Sequence, residues 1–168
     1  SGSSANLLAV EAMLRPMNGK PRWGRGDEVL VPALSWPTTV WPLIQLGLKP
    51  VFVDIDPPTL AMDLEQAQRK VTLKTTGLML IHVMGLAADL HDIPQLCEDY
   101  RLTLIEDACE SFGAHWNGQH VGTTGLIGTF SHYFAHQLTT IEGGTIVTND
   151  DAIADDLRSK RAHGWTRD

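Results

Sequence analysis

The sequence predicts an α/β domain, a mostly parallel sheet with helices on both faces. Three observations carry this. Strand-like and helix-like segments alternate along the chain, and the links between them are short. The stretch "GLMLIHV" (77–83) is apolar at nearly every position, as a strand covered on both faces must be. A length of 168 residues is enough for one such domain with a real core.

The elements follow in order. "SGSSANLLAVEAML" starts at a Gly/Ser turn and feeds a helix. "EVLVP" (28–32) reads as a short strand, and "PTTVWPLIQLG" (37–47) as a helix closed by Gly47. "PVFVDI" (50–55) is β-branched and aromatic, hence a strand; "DLEQAQRKV" (63–71) has helical composition. After the strand at 77–83, "DLHDIPQLCEDYR" (89–101) opens on a carboxylate and spaces Leu90, Ile93, Leu96 and Tyr100 along one helical face. "LTLIED" (102–107) is a strand ending in two acids. "GTFSHYFAHQLTTIEGGTIVTND" (128–150) reads as strand, polar turn and strand, and "DAIADDLRSKRAHG" (151–164) as a helix with an acidic start and a basic end.

The ends look cut. No strand precedes the first helix to complete its unit, and "RAHGWTRD" stops without a cap or tail. We therefore expect residues 1–168 to be a partial large domain, with a first strand and a C-terminal small domain lying outside it.

Composition narrows the function. Hydrophobic residues make up 43% and charged residues 20%, ordinary for a globular protein. A net charge of −7 argues against non-specific binding to nucleic acid or anionic membranes. No apolar run approaches the ~18 residues of a membrane span, and no signal peptide is visible. Cys97 and Cys109 lack CxxC spacing and read as buried thiols of a reducing compartment. The expected location is the cytoplasm.

Ligands of parallel sheets sit beyond the carboxyl ends of the strands. That rule points to His82, Asp107 and the 131–137 turn. Asp107 suits a protonated ring nitrogen, and it would serve equally as a helix N-cap for 108–112. Glu110 lies one turn on, facing the same space. Gly2, Ser3 and Ser4 open a helix whose N–H groups suit a phosphate, although serine at a helix start is also an ordinary N-cap. Trp36 offers a flat face for stacking, or a cover for the core. His82 at a strand end reads first as a satisfied core residue. His132 and His136 have i, i+4 spacing, but no HExxH, cysteine cluster, GxSxG or Walker lysine accompanies them, so no metal site is expected.

Taken in order, "SGSSANLL", "GDEVLVPALSWPTTV", "KPVFVDIDPPTLAMD", "IHVMGLAADL", "LIEDACESFGAHWNGQHVGTTGLIGTFS", "EGGTIVTND" and "RAHGW" resemble the large domain of the DegT/DnrJ/EryC1/StrS sugar aminotransferase family almost end to end. The resemblance implies the aspartate-aminotransferase fold type and pyridoxal 5′-phosphate or pyridoxamine 5′-phosphate as cofactor. It implies that Gly2, Ser3, Ser4 and Ser131 cradle the cofactor phosphate and that Trp36 stacks on the pyridine ring. By the same resemblance Asp107 holds the ring nitrogen protonated, and Glu110 stands near the ring hydroxyl where many members carry Gln.

One departure decides the branch. Family aminotransferases carry a cofactor-tethering lysine after "FS"; here that place is His136, and "SHYFAHQLTTIEGG" contains no lysine. The lysines are Lys20, Lys49, Lys70, Lys74 and Lys160, all outside the motif. The pattern resembles the branch of keto-deoxysugar 3-dehydratases, which use a histidine base. It implies His136 as the base that removes a proton near neutral pH while the sugar's C3 hydroxyl leaves, with the cofactor held only by noncovalent contacts. The implied partners are a nucleotide-sugar substrate, an amino donor such as glutamate, and a second copy of the chain in a homodimer. The competing readings are a nucleotide-sugar aminotransferase, an inactive sugar-nucleotide-binding relative, and a dehydratase dependent on a reductive partner, whose family relatives carry an iron–sulfur cluster.

Overall fold

Six strands form one sheet in the order β2-β1-β3-β4-β7-β8. The computed structural model describes residues 1–15 and 22–165; the end of the last quoted segment, at 166–168, lies outside them. Strand β1 (Glu28–Pro32) pairs in parallel with β2 (Lys49–Val53) and with β3 (Thr75–Ile81). Strands β4 (Thr103–Asp107) and β7 (Ile127–Ser131) continue the parallel run, and β8 (Gly144–Val147) closes it antiparallel to β7. The expected strand–turn–strand at 128–150 is that antiparallel pair.

Alternating strand residues sort into two cores, because successive side chains point to opposite faces. Leu30, Leu78, Leu80 and Leu104 pack against helices α3 (Leu64–Lys70) and α4 (Ile93–Tyr100) through Ala67, Ile93 and Leu96. Val29, Met79, Ile105 and Ile127 face α1 (Gly2–Leu14), α2 (Pro37–Gln45) and α5 (Asp151–Arg161) through Val10, Met13, Leu43 and Ile153. The sheet is therefore covered on both sides, as its apolar strands require.

Several boundaries move for local reasons. Helix α4 starts at Ile93 rather than 89, because Pro94 sits comfortably only in a first turn. Before it, Met84 (φ 54°) and Gly85 (φ 83°) turn the chain sharply after β3. Helix α5 ends at Arg161, where His163 (φ 60°) and Gly164 (φ 82°) adopt left-handed geometry. The N-cap for a helix at 108–112 does not materialise: that segment is a pair of turns, with the Asp107 carboxylate accepting the Cys109 N–H at 3.1 Å. A hairpin, β5 (His115–Trp116) and β6 (Gln119–His120), is an addition; Asn117 (φ 47°) and Gly118 (φ 82°) give it the Asn-Gly turn that such hairpins favour.

Helix α1 is pinned against α5 by charge as well as packing. Lys160 pairs with Glu11 and, at 2.7 Å, with Asp156, which also holds Arg15. Among the described residues no helix is long and apolar enough to cross a membrane.

Candidate active site

A cavity of about 710 Å3 opens at the carboxyl ends of β1, β3, β4 and β7. Its size is in the range of small-molecule and cofactor sites. The elements deliver its lining one by one. The start of α1 brings Gly2 and Ser3, the start of α2 brings Trp36, and the end of β4 brings Asp107. The turn after β4 adds Glu110, the end of β7 adds Ser131, and the loop beyond it adds Tyr133 and His136. Of the residues that the resemblance assigns to the cofactor, Ser4 alone is not in the lining: it is exposed, and its N–H is capped by Ser1 Oγ at 3.1 Å.

Helix α1 meets the end of β7 at very short range. A methyl group at Gly2 would come within 2.6 Å of Ser131 Cβ and 2.9 Å of Cys109 Sγ. Only glycine lets the first turn of α1, with its unpaired N–H groups, sit beside the Ser131 hydroxyl. Cys109, though in the lining, stays a thiol: burial first, and then the neighbouring Asp107 charge, push its pKa far up. Cys97, buried among the α4 contacts, is pushed up to about 12 by burial.

Asp107 is buried and held by three donors. Its Oδ2 accepts from Asn6 Nδ2 and Thr39 Oγ1, each at 2.7 Å, and Oδ1 takes the Cys109 N–H. Asn6 and Thr39 escaped the sequence reading. Asn6 lies in the i, i+3, i+4, i+7 stripe with Ala9, Val10 and Met13, and a polar residue in such a stripe is the signal that could have found it.

Trp36, exposed by 65%, forms part of the wall at the start of α2 and caps nothing with its side chain. Glu110 accepts the Met84 N–H at 2.9 Å through Oε2, and its carbonyl accepts from Gln137 Nε2. It thereby ties the turn after β3 to the loop that carries His136.

The histidines separate cleanly. His136 Nδ1 is shielded from solvent and has no hydrogen-bond partner, while its ring meets Tyr133 edge-on at 5.8 Å. His132 instead uses both nitrogens, Nδ1 with the Leu138 carbonyl of the loop at 3.3 Å and Nε2 with Thr145 Oγ1 of β8 at 2.7 Å. The pair does not converge, and no cluster of three metal-ligating side chains occurs among the described residues.

His82, which the strand-end rule had pointed to, is fully buried and outside the lining. Its Nδ1 accepts the Ala88 N–H at 3.0 Å, so the proton on Nε2 is donated to Glu106 Oε2 at 2.9 Å. Glu106 also accepts N–H bonds from Gly122, Thr124 and Gly125. Burial alone would raise the Glu106 pKa, but the His82 hydrogen bond and the Gly125 and Gly122 N–H groups outweigh it and hold the carboxyl below its ordinary value.

Comparison with known proteins places this arrangement. GDP-4-keto-6-deoxy-D-mannose 3-dehydratase of Yersinia pseudotuberculosis is 46% identical over 167 residues, covering 99% of this chain and 42% of the relative. The solved structure of the E. coli GDP-4-keto-6-deoxy-D-mannose-3-dehydratase with bound hydrated PLP superposes with a TM-score of 0.94 at 45% identity, over 99% of this chain and 42% of that one. A histidine-to-asparagine mutant of GDP-4-keto-6-deoxymannose-3-dehydratase with bound GDP-perosamine matches with a TM-score of 0.95 at 44% identity, over 100% of this chain and 43% of the other. The chain thus spans about two fifths of the length of these relatives. The pattern described as the DegT/DnrJ/EryC1/StrS aminotransferase family matches residues 1–168 in full, and the chain belongs to that family.

Proposed function

We propose that this chain forms the cofactor-binding part of an enzyme that uses pyridoxal or pyridoxamine 5′-phosphate to remove the C3 hydroxyl of a 4-keto-6-deoxy nucleotide sugar. His136 is the base. One observation carries the reading: the loop after β7 sets His136 in the lining of a cavity that no lysine lines among the described residues.

The residues present fit the cofactor. A buried carboxylate, an exposed indole face and a helix start too tight for any side chain at Gly2 share one cavity. When bound, the cofactor supplies an electron sink. The chain's own groups do the rest. Asp107 would accept the ring N–H, Trp36 would cover one face of the ring, and the Gly2 and Ser3 N–H groups with the Ser131 hydroxyl would hold the phosphate. Ser4 supports that turn from outside the cavity rather than touching the phosphate. Glu110 would stand near the ring hydroxyl while fixing the 83–85 turn through the Met84 N–H. His136 moves the proton, the general-base role that an imidazole suits.

Lacking an amine at position 136, the chain cannot tether the cofactor there, which favours elimination over amino transfer. The reading includes a nucleotide sugar as substrate, glutamate as amino donor, a homodimer and a cytoplasmic location. The test is intact mass of the full-length protein after loading with PLP and borohydride reduction. Retained cofactor without a covalent adduct is the expected result; a single adduct on one lysine would turn the reading to an aminotransferase.

A further inference from the structure

Asp107 does not orient itself. Its Oδ2 sits at 2.7 Å from both Asn6 Nδ2 of α1 and Thr39 Oγ1 of α2. Asn6 is in turn fixed on every side: Oδ1 accepts from Thr129 Oγ1 of β7 at 2.6 Å, and Nδ2 also reaches the Thr38 carbonyl at 3.3 Å. The amide can adopt only this orientation, because a flipped Asn6 would turn its oxygen on the Asp107 carboxylate. Asn6, Thr39, Thr129 and Asp107 are exposed by 4% or less, so water does not substitute for any of these bonds.

The four side chains come from α1, α2, β7 and β4; Asn6 and Thr39 reach the Asp107 carboxylate directly, and Thr129 reaches it only through Asn6. A lone core aspartate would need its donors only for burial. Here two donors crowd Oδ2 while Oδ1 accepts the single Cys109 N–H at 3.1 Å, in a residue that lines the cavity. We propose that Asn6 and Thr39 are positioning residues that lock Asp107 so that Oδ1 is presented to the ring N–H of the cofactor, with Thr129 setting the Asn6 amide. The claim rests on the functional reading above. Thr39 donates its hydroxyl proton to Oδ2, and the Thr129 hydroxyl proton goes to Asn6, so the network carries hydrogen-bond direction from β7 to the carboxylate.

The test uses the full-length protein, PLP labelled with 15N at the ring nitrogen, and the variants Thr39→Val, Thr39→Ser and Thr129→Val. Three readouts are taken: PLP affinity by fluorescence titration, the ring 15N chemical shift, and the thermal midpoint without cofactor. Loss of one hydrogen bond to the carboxylate in Thr39→Val is expected to weaken PLP about ten-fold and move the 15N signal toward the unprotonated ring, while Thr39→Ser stays within about two-fold of the parent. Thr39→Val is also expected to lower the thermal midpoint without cofactor, because a buried carboxylate loses a donor; the 15N shift, not the midpoint, reads the orientation. An unmoved 15N signal in Thr39→Val, or Thr39→Ser as weak as Thr39→Val, overturns the proposal. Should Thr39→Val fail to fold, Thr129→Val decides: a shifted 15N signal supports the network and an unshifted one overturns it. A parent that binds no PLP overturns the functional reading and this inference together, whereas a parent that binds, with variants that match it, overturns the inference alone.

Discussion

His132 and His136 lie four residues apart, and identical side chains there have opposite fates. His132 spends one nitrogen on the loop and the other on Thr145 of β8, whereas His136 lines the cavity with its shielded Nδ1 unpartnered. The difference yields the sharpest residue-scale prediction. His136→Asn is expected to lose dehydration by the roughly 100- to 10,000-fold that a positioned base contributes, with PLP affinity kept. Turnover and a PLP titration on the same sample check this; turnover near the parent's level would end the assignment. His136→Lys should instead give a yellow protein whose cofactor becomes covalent on borohydride reduction. The sequence made His136 legible because the family motif surrounds it, but it could not show which of its neighbours hold Asp107. Asn6 and Asp107 are separated by 101 residues, and only the packing of α1 across the sheet joins them.

At the scale of elements, most strands and helices were readable because each carries its own period. The misses occurred where a single residue overrides the pattern, as Pro94 does for α4, or where a strand is only two residues long, as in β5 and β6. Strand β3 shows what no period reveals. Gly77 lies under the Trp23 indole, and a methyl group there would run into the ring. Trp23 has little freedom to retreat, since it is 1% exposed and its Nε1 donates to the Thr76 carbonyl at 3.1 Å. Gly77→Ala should therefore destabilise the protein by about 1–3 kcal/mol, the usual cost of overpacking a core. Urea unfolding followed by tryptophan fluorescence measures it, and an unchanged midpoint would mean that the indole can move aside.

Over the whole molecule, the α/β class was legible from alternation alone, and the two-sided core bears it out. The buried charge pattern was not. Glu106, read only as one of two acids ending a strand, joins β4 to His82 beyond β3 and to the Gly122, Thr124 and Gly125 amides before β7. Its folded-state pKa lies below the unfolded value of about 4.3, so the stability it contributes is full above that value. That contribution is lost as pH falls through the lower, folded value. Glu106→Gln should lose about 1–3 kcal/mol near neutral pH, because its amide would face N–H donors that then lack an acceptor. The variant should also show a shallower acid limb than the parent, which a pH series of denaturant midpoints reads directly.

The Thr129–Asn6 bond spans 123 positions of the chain. During synthesis at ~5–20 residues per second, Asn6 therefore waits about 6–25 s before its partner has even been made. Helix α1 is the early product with the late appointment: Asp107 and Thr39 are already in the nascent chain when β7 arrives to complete the set. The Asp107 carboxylate is thus among the last groups to acquire its fixed direction, and a nascent chain stopped before β7 lacks the Ser131, Tyr133 and His136 wall of the cavity.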